Sequence, residues 1–160
     1  MDVEKVKSEF QFIGASITSL NITNQLFQYD ERRPGKKEID VGYAIIDNQV
    51  IQEQKKRCGM LDLHVNINCT LDEKNLQIQL VMRGIFTAPA EIAADLFEKM
   101  LKINGCTALY SMARANIGSI SSQIFAVGNI VLPMVNIIRF HELGSLPTEK
   151  GSDTDSSCEK

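Results

Sequence analysis

The chain has 160 residues, 44% of them apolar and 23% charged, and a formal net charge of −3 at neutral pH. This size suits one domain that buries its own core. The charge argues against a nucleic-acid partner held by many phosphate contacts, and the basic runs Lys36-Lys37 and Lys55-Lys56-Arg57 read as solvated strand ends.

Met1-Asp2-Val3-Glu4-Lys5 has no apolar stretch of the kind a secretory signal carries. No window supplies the roughly 20 apolar residues of a membrane span. The richest, Ile124 to Ile138, is interrupted by Gly128, Asn129, Pro133 and Asn136. A cytoplasmic protein without membrane insertion is expected. Cys58, Cys69, Cys106 and Cys158 fit neither a zinc pattern nor a disulfide framework and read as free thiols.

From Phe10 to Ile22 the alternation is imperfect. Ile13, Ala15 and Ile17 share one parity, and Leu20 and Ile22 share the other, as in one long bent strand. Gln28 to Lys37, with Pro34-Gly35, reads as a loop. Ile39, Val41, Tyr43 and Ile45 form a second strand. Its phase changes through Ile46 and Val50, which predicts a bulge, or a short extra hairpin, near Asp47-Asn48. Leu61, Leu63, Val65, Ile67 and Cys69 alternate with Asp62, His64, Asn66 and Asn68. Leu76, Ile78, Leu80 and Met82 repeat the pattern after Asp72-Glu73-Lys74-Asn75, predicting an antiparallel hairpin with a longer loop. A sheet with one apolar and one polar face should be covered on one side only.

The period then becomes helical. Pro89 and Glu91 suit a helix start, Ile92, Leu96, Met100 and Ile103 make a stripe, and Gly105 suits a stop. A second helix is expected from Thr107 to Ser122, with Leu109, Met112, Ala113, Ile117 and Ile120 as its apolar face. Ala115, Gly118, Ser119 and Ser122 form a face of small residues, which serves either a subunit contact or tight packing on the sheet. Ile124 to Pro133 is apolar but broken by Gly and Pro. A short element follows from Val135 to about Leu143. The chain thus divides into a folded domain, residues 1–143, and a polar tail, residues 144–160, expected to be disordered.

No catalytic constellation emerges. His64 lies on the polar parity of its strand, and His141 lies near the end of the folded region. Cys58 and His64 share a strand face while Cys69 takes the other, so they cannot hold one metal. Buried, inert cysteine is the simpler reading of Cys106. Phosphate-binding loops and nucleophile elbows are missing from the sequence. No enzyme activity, metal or cofactor is expected. The unexplained feature is the apolar loop Ile124 to Leu132, which is either an exposed binding surface or a segment folded back onto the sheet or a neighbouring subunit.

Three stretches resemble the SecB family of protein-export chaperones: Gly84-Ile85-Phe86, Cys106 to Arg114, and Leu132-Pro133-Met134-Val135-Asn136-Ile137. Their order and spacing span residues 10 to 143. The resemblance implies an α+β fold: a four-stranded antiparallel sheet with helices packed on one face, assembled as a dimer of dimers. It also implies an ATP-independent holdase that binds unfolded client polypeptides in apolar grooves. Carried onto this chain, the client-binding positions are Ile39, Val41, Tyr43, Phe125, Val127, Ile130 and Leu132. The family docks to the SecA motor through acidic residues on the sheet. Here Ser19, Thr23 and Gln79 stand at those positions, which puts docking to SecA in question and admits a SecB-like role outside export, such as protecting an antitoxin; an adaptor that binds one folded partner through the same surface is the alternative.

Overall fold

The computed structural model describes residues 8–30, 32–33 and 35–144. Strands β1 (Gln11–Asn24), β2 (Lys36–Ile51), β3 (Lys56–Leu71) and β4 (Lys74–Pro89) precede helices α1 (Ala94–Met100), α2 (Cys106–Ile124) and α3 (Ile137–Gly144). The sheet is four-stranded with order β1-β4-β3-β2, and every pairing is antiparallel. It is an α+β fold with helices on one face. Beyond Gly144, the expected polar tail lies outside the described residues.

The alternation in β3 and β4 becomes two faces. Leu61, Leu63, Val65, Ile67 and Cys69 join Leu76, Ile78, Leu80, Met82 and Phe86 in the core beneath the helices. The register lays the other parity out as rows on the open face: Asn21, Gln79, Asn66 and Asp40 form one, and Thr23, Gln77, Asn68 and Glu38 the next. Asp62 and Arg83, direct cross-strand partners on that face, form a two-pronged ion pair, with Nε and Nη2 each 2.7 Å from a carboxylate oxygen.

The irregular phases of the edge strands are β-bulges. In β1 the register slips between Ile17 and Ser19, so Leu20 and Ile22 return to the helix side alongside Ala15 and Ile17. In β2 it slips between Ile45 and Asp47, and the strand continues without an extra hairpin. The β3–β4 connection is tighter than the sequence suggests. Leu71 pairs with Lys74 across two residues, Asp72 and Glu73, whose φ values are 49° and 66°. Both sit where a two-residue hairpin turn favours Asn and Gly.

Pro89 ends β4 instead of opening a helix, and its carbonyl accepts from Ile92 N in the turn that leads to α1. Gly105 does not stop the helix. A π-turn, Leu101–Gly105, joins α1 to α2, with Gly105 at helical φ −62° and ψ −51°. The buried residues of α1 and the π-turn are Phe97, Leu101 and Gly105, one position away from the expected stripe, whose Leu96 is exposed. A stripe that repeats every fourth residue drifts around a 3.6-residue helix; the π-turn takes up an extra residue and limits that drift. The rod sits close to the sheet because Gly59 and Gly84 leave room. A Cβ on Gly59 would lie 2.7 Å from Phe97 Cε1, and one on Gly84 would lie 2.8 Å from Leu109 Cδ2.

Glu73→Gly is expected to stabilise the fold by about 1 kcal/mol, because the left-handed conformation costs a side-chain residue roughly that much. Urea unfolding with an unchanged slope and a higher midpoint would show it. An unchanged or lower midpoint would mean that the turn holds no such cost.

Candidate binding surface

The apolar segment after α2 is neither wholly exposed nor wholly buried. It runs back along α2 as an extended strap with its residues divided by side. Phe125, Ile130, Leu132 and Ile137 are buried, whereas Val127, Val131, Met134 and Ile138 are exposed, Met134 at 81%. Two buried hydrogen-bonding groups of α2 hold it. Ser121 Oγ accepts from Ile130 N at 2.8 Å, and Tyr110 OH donates to the Pro133 carbonyl at 2.8 Å. Ser121 falls four residues after Ile117 and eight after Ala113 on the buried side of α2, a spacing that could have marked it in the sequence.

The start of the strap is tied to the β1–β2 connection. Ala126 N donates to Phe27 O and Tyr29 N to Val127 O, each at 3.0 Å, forming a short parallel ladder. Tyr29 stacks on Phe125 with ring centroids 5.4 Å apart. Gly128 sits at φ +98°, and a Cβ there would lie 1.9 Å from the Tyr29 carbonyl oxygen. The ladder therefore requires glycine at this position. Phe27 is 73% exposed in the β1–β2 connection, where it borders a surface depression with Leu26, Gln28, Arg33 and Leu71. Sequence reading missed Phe27, Val131, Met134 and Ile138.

The expected client-binding residues are thus only partly brought together. Ile39, Val41 and Tyr43 are half-buried on the helix side of the β2 edge. Val127 is exposed on the strap, while Phe125, Ile130 and Leu132 are taken up by the chain's own core. Tyr43 carries α3: its OH lies 3.0 Å from His141 Nδ1, its ring meets Phe140 and His141, and His141 Nε2 contacts the Lys102 carbonyl of the π-turn.

The small-residue face does not pack on the sheet. Ala115, Ser119 and Ser122 are exposed and Gly118 is half-buried, with room for a Cβ, whose first neighbour would be the Ile130 carbonyl oxygen at 3.9 Å. Ser19, Thr23 and Gln79 are exposed together on the open face of the sheet. Gln79 pairs with Asn21, which lies between Ser19 and Thr23 on that face of β1.

Among the described residues, no group of three His, Cys, Asp or Glu could hold a metal, and no helix is long and apolar enough to cross a membrane. Cys58 and His64 point to the open face and Cys69 to the core, as the register requires. Burial pushes the Cys106 thiol up to about 12, which keeps it protonated and unreactive near neutral pH.

No family model and no curated protein matches this chain. Solved structures do. A Mycobacterium tuberculosis SecB-like chaperone, in complex with a ChAD peptide from an antitoxin, superposes with a TM-score of 0.61 at 8% identity, over 79% of this chain and 90% of that one. The fold is SecB-like. A Streptococcus agalactiae protein of unknown function aligns with a TM-score of 0.43 at 10% identity, over 78% of this chain and 97% of that one.

Cys106 generates a pH prediction. Its unfolded thiol ionises from about pH 9, whereas the folded one stays protonated to about pH 12. Between these values the unfolded state binds fewer protons, so stability falls as pH rises, by about 1.4 kcal/mol per unit from this group. Burial raises Tyr43 and Tyr110 as well, which adds to the decline above pH 10. Urea midpoints measured from pH 8 to 11 should fall. In Cys106→Ala the slope between pH 9 and 10 should flatten; an unaltered slope would assign it to other groups.

Proposed function

We propose that this protein is an ATP-independent chaperone that holds unfolded or extended segments of other polypeptides, working in the cytoplasm and outside the export pathway. The observation that carries the reading is the set of exposed apolar side chains Val127, Val131 and Met134 on a strap fixed to α2. A fixed apolar row accepts many side chains without demanding one sequence, and extended clients can add backbone contacts at a sheet edge. The half-buried Ile39, Val41 and Tyr43 form the β2 side of the client surface, with Phe125, Ile130 and Leu132 as its floor. The likeness to a SecB-like chaperone supports the reading at the level of fold.

Assembly belongs to the same proposal. β1 is an edge strand without a single charged residue, and Phe12, Ile17 and Leu20 on its helix side are exposed. An edge so lightly protected invites pairing. We assign it, together with the small-residue face at Ala115, Gly118, Ser119 and Ser122, to contacts between copies in a tetramer. Several copies would then act on one client, and avidity would raise the affinity of weak individual contacts. The open face supports separation from the motor, because Ser19, Thr23 and Gln79 offer no carboxylates to a basic partner.

The purified protein is expected to suppress aggregation of a chemically denatured client without nucleotide. Val127→Ser with Met134→Ser should weaken that suppression several-fold at unchanged melting temperature, since exposed positions contribute little to stability. Leu132→Ser should instead unfold the chain, at a cost on the order of 2–5 kcal/mol. Light scattering would test the first pair and calorimetry both. Full client aggregation in the presence of excess wild-type protein would overturn the reading.

A further inference from the structure

We infer that the apolar strip selects polypeptide segments in which carboxylates are interspersed with apolar residues; the inference rests on the chaperone reading above and names its client class. It comes from a separation of charge that the overall value of −3 conceals. Between Glu98 and Glu142 the chain contains no Asp or Glu, but it contains Lys99, Lys102, Arg114 and Arg139. This span supplies the π-turn, all of α2, the strap and the first half of α3.

The cations border the strip itself. Arg114 Nη1 reaches Met134 Sδ at 2.8 Å, which places a guanidinium beside the most exposed apolar side chain of the row. At the other end Arg32 and Arg33 line a surface depression with Gln28, Tyr29, Asp30 and Val127. Asp30 Oδ1 accepts from Arg32 N at 3.0 Å, closing a local turn; with Glu31 beside it in the sequence, residues 30–33 balance in charge, so the net positive charge along the strip comes from Arg114 and Arg139. Arg139 is exposed on α3, one residue after the exposed Ile138. The ion pairs seen among the described residues, Lys36–Glu38, Arg83–Asp62 and Lys102–Glu98, engage none of Arg32, Arg33, Arg114 or Arg139.

An extended client laid along residues 127–134 would cover about 23 Å at strand rise, and its side chains would pass a guanidinium at both ends. Segments carrying Asp or Glu meet opposite charge while their apolar residues cover Val127, Val131 and Met134. Segments carrying Lys or Arg meet like charge, which no carboxylate on the strap offsets. Each exposed pair contributes little alone, but several act in the same direction.

The test uses the full-length protein and three fluorescent peptides with one shared apolar pattern and, between the apolar residues, Glu, Lys or Ser. At low salt the Glu peptide should bind roughly ten-fold tighter than the Lys peptide, with the Ser peptide between them, and the gap should narrow at high salt as charges are screened. Arg33→Gln with Arg114→Gln should narrow the gap between the Glu and Lys peptides several-fold at an unchanged melting temperature, and a gap as wide as in the wild type would overturn the inference. Equal or tighter binding of the Lys peptide would overturn the inference and leave the chaperone reading standing. Binding of no peptide, the Ser form included, would overturn both. A single-stranded oligonucleotide that displaces the Glu peptide as well as the Ser peptide does would also overturn the inference, because the surface would then read charge without the apolar pattern.

Discussion

One helical rod cannot cover a four-stranded sheet, and the rest of this structure follows from that. Adjacent strands lie about 4.8 Å apart, so the outer strands are separated by about 14 Å, while a helix with its side chains is only about 10–12 Å wide. The rod formed by α1, the π-turn and α2 sits over the central strands, where Leu61, Leu63, Val65, Leu80 and Met82 are almost completely buried. The helix-side residues of both outer strands remain short of cover. On β1 these are Phe12, Ile17 and Leu20, exposed at 42%, 41% and 39%. On β2 they are Ile39, Val41 and Tyr43, half-buried. The two flanks are finished differently. The side chains of Phe140 and His141 on α3 settle on Tyr43, and β1 receives no comparable cover from the described residues.

The sheet's design was largely legible in the sequence because period two is a local signal. Leu61 to Cys69 and Leu76 to Met82 declare their buried faces without reference to anything distant. Even the phase changes at Ile17–Leu20 and Ile45–Val50 carried information, and each corresponds to a bulge. The helix was harder to read. Within α2 the buried Cys106, Leu109, Tyr110, Ala113 and Ile117 keep an ordinary helical spacing, but the line from Phe97 through Leu101 and Gly105 to Leu109 advances in fours, which a 3.6-residue period does not select and the π-turn makes workable. Gly105 was misread for a related reason. Its lack of a side chain serves proximity to Leu61 and Phe86, whose atoms would lie 3.2 and 3.4 Å from a Cβ there, and not helix termination.

The candidate surface was less legible because its organisation is non-local. The strap's division into buried and exposed residues depends on where Ser121, Tyr110 and Phe27 present a hydroxyl or a carbonyl. None of these is a neighbour in sequence, so Ile130 and Leu132 could not be separated from Val131 and Met134 by composition. Phe27 could not be foreseen either. It lies in the connection between β1 and β2, which only the hydrogen bonds from Ala126 N to Phe27 O and from Tyr29 N to Val127 O bring to the strap.

The strap therefore serves folding and surface presentation through neighbouring residues, and this coupling limits how the segment can vary. Ile130 and Leu132 seal part of the core, so polar groups at those positions would be buried among apolar side chains. Val131 and Met134 face outward and contribute little to that seal. A shift of one residue in the strap would exchange the two sets. The hydrogen bonds from Ile130 N to Ser121 and from Tyr110 to the Pro133 carbonyl oppose such a shift, because both protein partners are specified by position and not by side-chain type along the strap. Gly128 adds a third constraint at the entrance, where the Tyr29 carbonyl leaves no room for a side chain. The strap is thus held in one register by a few polar contacts beneath it, and its exposed side chains are left free to vary in size without disturbing the sheet.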